Sequence, residues 1–216
     1  MSAIYLYPGW VRLWHWFSAL LFLVLLLSGA SMHYAGTPWL LSFKLAVPIH
    51  NAAGILLTLG WIGFVVGNLF TDNGRHYRVR WRGLMGRLVA QIRYYGYGIF
   101  RGAPHPFKVS AEMKFNVLQQ LSYLGAMYLL MPLLILSGWA FLFAVYLPES
   151  LFGLGSIWIV AMTHLAVAYG LVLFWMVHIY VITTGETVLT NLRAMLTGWD
   201  RESGTGASAG PSESAS

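Results

Sequence analysis

Thr163-His164-Leu165-Ala166-Val167-Ala168-Tyr169-Gly170-Leu171-Val172-Leu173-Phe174-Trp175-Met176-Val177-His178 places two histidines in a hydrophobic run without a single charged residue. A run of this kind lies in lipid as a helix. At about 100° and 1.5 Å per helical residue, the spacing brings the second imidazole to within about 40° of the first, roughly 21 Å further along the axis. Both rings therefore face the same side of a bundle at two depths. An ionisable group at membrane depth is costly, so it faces the protein interior and does something there. Neutral imidazole is a common axial ligand of haem iron. The expectation is one helix contributing one ligand to each of two stacked haems.

The rest of the chain supports a membrane setting. Of its 216 residues 58% are hydrophobic and 9% charged, and it carries 10 Trp, 12 Tyr and 12 Phe, far more apolar than a soluble domain of this length. The first apolar run is long enough to span and has no small-residue cleavage site, so it reads as a retained helix. The absence of cysteine excludes disulfides, iron–sulfur clusters, thiolate-bound zinc and covalent c-type haem attachment. Any haem is then non-covalent and held by His or Met.

The net charge of +6 does not indicate nucleic acid, because its placement is topological. Twelve of the 13 Lys and Arg fall at Arg12, between Arg75 and Lys114, or at Arg193 and Arg201, and only Lys44 lies elsewhere. By the positive-inside rule both termini and the 71–115 loop are cytoplasmic. The fold class expected is an all-α membrane protein: a four-helix bundle with helices at about 11–33, 47–70, 116–146 and 156–184. Residues 1–202 form the domain and 203–216 a disordered cytoplasmic tail. Multi-pass insertion in a bacterial inner membrane follows.

Within that outline, Trp10 with Tyr5, Tyr7 and Pro8 is an interfacial aromatic cluster. Pro48 suits the first turn of helix two, and Gly54, Gly60, Gly63 and Gly67 lie on or beside one stripe that admits a neighbouring helix or a flat cofactor. Residues 80–98 alternate Arg82, Arg87 and Arg93 with Leu84, Met85, Leu88, Val89 and Ile92, the pattern of an amphipathic helix on anionic headgroups. His105, between two prolines, reads as a surface residue. Helix three is expected to kink at Pro132. No internal repeat is expected.

With both termini inside, depth sorts the histidines. His15 and His178 belong to the inner side and His50 and His164 to the outer side, giving two bis-imidazole pairs suited to electron transfer. His33 competes with His50, because His164 lies further into its helix than His50 does. Asn116, Gln119, Gln120 and Tyr123 make a polar stripe at the inner end of helix three, at a depth where a quinone headgroup could accept hydrogen bonds.

At this point the chain resembles the thiosulfate reductase-type cytochrome b subunit, within the dihaem cytochrome b group that includes the formate dehydrogenase gamma and hydrogenase b-type cytochrome subunits. The matching stretches are Tyr7-Pro8 with Arg12-Leu13-Trp14-His15-Trp16, His50-Asn51-Ala52-Ala53-Gly54, and Gly67-Asn68-Leu69-Phe70 with Asn73-Gly74-Arg75-His76-Tyr77. Lys114-Phe115-Asn116-Val117-Leu118-Gln119-Gln120, His164 and His178-Ile179-Tyr180 complete them, and the likeness runs from about residue 5 to 200. The resemblance implies two haem b on His15, His50, His164 and His178, and quinone beside the inner haem at Asn116, with Gln119 a further candidate. It also implies periplasmic iron–sulfur and catalytic oxidoreductase subunits as partners, with membrane lipids around the bundle and no nucleic acid. On this reading the chain is an electron-transfer and membrane-anchor subunit, and no residue takes a catalytic role. The alternatives are a stand-alone cytochrome b561 acting as superoxide:ubiquinone oxidoreductase, and a metal-ion transporter. The transporter needs carboxylates at depth, and Asp72, Glu112, Glu149 and Glu186 are not placed there.

Overall fold

The computed structural model describes residues 3–38, 40–104, 106–107, 114–184 and 187–201. The expected tail, His105, Glu112 and Glu186 lie outside the described residues. Among the described residues four helices are long and apolar enough to cross a membrane: span one Gly9–His33, span two Phe43–Phe70, span three Val117–Leu142 and span four Ser156–Ile182. The protein is a multi-pass membrane protein. Leu20, Leu27, Leu59, Leu136 and Leu173 stand exposed on the outside of the bundle, where lipid, rather than another helix, would cover them.

The buried cluster is assembled from all four spans: Leu21, Ala53 and Leu57, Ala126 and Met131, and Val167 and Leu171. On each span that carries two of the paired histidines' contacts, these residues lie between the inner and outer rings. The small Ala53 and Ala126 let spans approach, and their larger neighbours fill the centre.

Span two starts earlier than expected. Its first residue is Phe43, after Ser42, so Pro48 lies inside the helix and not in its first turn. The missing N–H removes one bond to the Lys44 carbonyl, and both residues are exposed at the helix entrance, where water or headgroups can satisfy that carbonyl. Span three widens into a π turn at Ala126–Leu130, directly before Pro132. Such a turn absorbs a proline's missing donor, and the indole Nε1 of Trp61 donates to the Met127 carbonyl at 2.7 Å. Span three then stops at Leu142, with Ala144–Tyr146 in a separate 3-10 turn.

The long loop begins with the 3-10 turn Asp72–Tyr77. Its amphipathic helix starts later than expected, at Leu84, because Gly83 takes a left-handed conformation at φ 68°, and after Arg93 it widens into a π turn, Tyr94–Gly98, that reaches the expected end. Met85, Val89 and Ile92, one face of that helix, are exposed. Arg87 turns back instead, donating to the Arg80 and Arg82 carbonyls.

The two ends of the domain meet. Ala3–Tyr5 pairs antiparallel with Trp199–Arg201, a small sheet with no counterpart in the sequence expectations. Arg12 donates to the Leu196 carbonyl at 2.6 Å, at the C-terminal end of the short helix Thr190–Thr197, where cations and donors are favoured.

Candidate functional site

The four histidines of the candidate site form two facing pairs. His15 and His178 have ring centres 6.3 Å apart, inclined at 56°. His50 and His164 are also 6.3 Å apart, inclined at 68°. All four are half-buried. His33, the competing outer residue, is exposed and packs edge-on against Tyr34. The earlier start of span two removes the depth mismatch: His50 is its eighth residue and His164 the ninth of span four.

The spacing fits an axially ligated metal. Two metal–nitrogen bonds of about 2 Å each, plus about 1 Å from each nitrogen to its ring centre, come to about 6 Å. The outer rings are also oriented for it. His50 Nδ1 lies 2.9 Å from Ser28 Oγ and His164 Nδ1 lies 2.9 Å from Ser137 Oγ, which leaves Nε2 on each ring for a ligand. A Cβ at Gly29 would come within 3.3 Å of His50, and one at Gly138 within 3.4 Å of His164. Both glycines thus let an imidazole lie close against the neighbouring helix. The inner rings sit among aromatics: Phe174 stacks on His178 with centres 6.0 Å apart and Tyr123 meets it edge-on at 6.0 Å. His15 Nδ1 is buried without a hydrogen-bond partner among the described residues.

The glycine stripe of span two divides by neighbour. A Cβ at Gly67 would approach Trp10 to 2.7 Å and one at Gly60 would approach Phe17 to 3.5 Å, so these two serve helix packing. Gly54 and Gly63 have room for a Cβ, and packing does not demand them.

The polar stripe is less free than the sequence suggests. Asn116 is almost fully buried and caps span three: its side-chain oxygen accepts from Gln119 N–H at 2.9 Å, while Gln119 Oε1 accepts from Asn116 N–H at 3.1 Å. This reciprocal pair is a capping box. The Asn116 amide is not free to meet a quinone, because it donates to Tyr95 Oη at 3.2 Å. Gln120 donates to the His76 and Arg78 carbonyls and pins the loop to the bundle. Tyr95, through Asn116, ties the long loop to the start of span three.

Beside it lies a cationic face. Lys114 is buried, donates to Asn73 Oδ1 at 3.1 Å and has its pKa lowered to about 8 by burial and then by Arg75. His76, also buried, is brought down to about 4 by burial first and then by Lys114 and Arg75, with Asp72 opposing. Burial raises Tyr95, and it pushes Tyr7 up to about 12 with help from Asp200. The inner face therefore keeps its imidazole neutral and its phenols protonated at neutral pH.

Sequence reasoning missed Ser28, Ser137, Gly138 and Tyr95. The signal for three of them was present, since Leu27-Ser28-Gly29 recurs as Leu136-Ser137-Gly138.

The family described as prokaryotic cytochrome b561 matches residues 6–198 of the chain. A protein of Escherichia coli (strain K12) bearing the name "Putative cytochrome YdhU" is 41% identical over 198 residues, which are 92% of this chain and 75% of that protein.

Proposed function

The chain belongs to the prokaryotic cytochrome b561 family, and from that premise we propose a dihaem b-type subunit that transfers electrons between the quinone pool and a redox partner on the outer face. The observation that carries this reading is the equal 6.3 Å spacing of the two histidine pairs at opposite ends of the bundle. Haem b bound at each pair would supply reversible one-electron chemistry. The residues do the rest. His15 with His178 and His50 with His164 would hold the two groups, and with both imidazoles of a pair engaged each would supply electron transfer rather than oxygen chemistry. The apolar cluster between the pairs excludes water from the space separating them.

Quinone is assigned to the inner side, where Asn116 and Gln119 form the polar end of span three and Tyr95 of the long loop meets them, beside the aromatic surround of His178. Because the Asn116 amide is already engaged, Tyr95 Oη shares its role as the group that would turn toward a carbonyl. The thiosulfate reductase-type resemblance, with periplasmic iron–sulfur and catalytic subunits, remains the finer proposal for the partner. Nearly full exposure of Val145, Tyr146 and Phe152 in the outer connection supports a covered outer end. The second reading is a stand-alone cytochrome b561 acting as superoxide:ubiquinone oxidoreductase, which the family's description, prokaryotic cytochrome b561, accommodates without naming a substrate. Superoxide-driven reduction by the isolated chain would select it.

The test is haem stoichiometry with ligand replacement. Pyridine haemochrome analysis of the purified chain is expected to give two b haems per polypeptide, and His164→Ala one. A single haem in the unaltered chain would refute the pairing, and loss of both in the variant would make His164 a folding residue.

A further inference from the structure

We infer that Ser28 and Ser137 are positioning residues for the outer histidine pair, each fixing the ring tautomer that presents Nε2 to iron and making that imidazole a stronger donor. The inference rests on the haem reading above. Each hydroxyl has one proton and a carbonyl in the preceding turn to receive it. Ser28 Oγ lies 2.7 Å from the Val24 carbonyl oxygen and Ser137 Oγ 2.7 Å from that of Leu133. With the proton donated there, the oxygen turns its lone pairs to Nδ1 at 2.9 Å in both cases. The Leu25 and Leu134 carbonyl oxygens lie 3.3 and 3.0 Å from the same two hydroxyls, so each hydroxyl proton has two carbonyl acceptors and each Oγ is left to accept from the ring. A carbonyl can only accept, so the ring proton resides on Nδ1 and the lone pair on Nε2.

The device is built twice. Span one supplies Ser28 and Gly29 to the histidine of span two, and span three supplies Ser137 and Gly138 to the histidine of span four. In each copy the serine bonds the ring, and the adjacent glycine lets the ring approach to a distance at which a Cβ would press on it. Both serines are buried, which shields the bonds from competing water. The inner pair lacks a matching arrangement at His15, whose Nδ1 has no partner among the described residues. A histidine donating its remote N–H is a more basic ligand and stabilises the oxidised metal. The two sites are therefore set to different potentials by two hydroxyl groups.

The experiment uses the full chain purified in detergent, with Ser28→Ala, Ser137→Ala, the double variant and the two Ser→Thr variants, which keep the hydroxyl. Redox titration followed in the visible bands resolves the two components, and His164→Ala identifies the outer one by removing it. Each Ala variant should raise the potential of the outer component and weaken outer-haem retention about tenfold. The double variant should shift it further, Thr should restore it, and the inner component should stay in place. An unmoved outer potential in a double variant that keeps both haems overturns the inference. So does loss of both haems that Thr fails to restore, which would make the serines packing residues. A wild-type chain with fewer than two haems would instead bring down the dihaem reading on which the inference rests.

Discussion

Asn116 shows how one residue can belong to two explanations that only its partners separate. Its oxygen caps span three and its amide binds Tyr95, so a single truncation to Ala removes both and cannot distinguish a structural cap from a quinone contact. Asn116→Ser keeps an acceptor of nearly equal capping strength and deletes the amide donor. Asn116→Ala should lower stability by about 1 kcal/mol, read as thermal unfolding, whereas Asn116→Ser should stay within a few tenths. If the amide or its Tyr95 partner serves quinone, both variants should slow haem reduction by a quinol analogue. Normal quinol kinetics in Asn116→Ser would move the site away from this residue. The four histidines were legible because a 14-residue spacing and depth alone sort them. The engagement of Asn116 was not, because its partner Tyr95 comes from a loop 21 residues away, and helical periodicity carries no information about such a contact.

Among the elements, the four spans were legible from apolar length, while the start of span two and the end of span three were not. Pro48 was read as a start signal, yet the chain tolerates it inside span two, because one lost bond at an exposed entrance costs little there. The 3-10 turn Asp72–Tyr77 that follows span two carries a stricter constraint. A Cβ at Gly74 would overlap the Asn68 carbonyl oxygen, which is backbone and cannot move aside without unwinding the end of the span. The same turn places Asn73, whose amide donates to Asn68 Oδ1 at 2.7 Å and whose oxygen accepts from Lys114. Asn68 in turn donates to Tyr128 of span three. Gly74→Ala should thus destabilise the protein by about 2 to 3 kcal/mol, far beyond the usual cost or gain of Gly→Ala at an unstrained site. Gly63→Ala, where a Cβ meets nothing within 4 Å, is the control in the span that precedes the turn and should be near neutral. Equal melting temperatures for the two variants would show that the turn is not pinned as described.

At the scale of the whole molecule, charge and contact point the same way. Span one begins beside the strand pairing of Ala3–Tyr5 with Trp199–Arg201, and Lys114 of the long loop lies over the Tyr7 ring at 5.5 Å. Both termini and the loop that carries most of the arginines therefore gather at one end of the bundle, and Lys44 sits alone at the other. Geometry puts the ends together without saying on which side, and the positive-inside rule supplies the direction. We expect both termini in the cytoplasm, which places the His15–His178 pair near the cytoplasmic face and the His50–His164 pair near the periplasmic face. A reporter enzyme active only in the cytoplasm, fused after Arg201, should be active in cells, and a cysteine introduced at exposed Phe152 should react with an impermeant thiol reagent from outside in cells that produce this chain without the proposed partner subunits. The chain has no native cysteine to confuse the labelling. Labelling at Phe152→Cys only after the membrane is opened, together with an inactive fusion, would invert the molecule. Inversion would also exchange the sides assigned to the quinone and to the redox partner, because the polar cap of Asn116 and the exposed Phe152 lie at opposite ends of the same bundle.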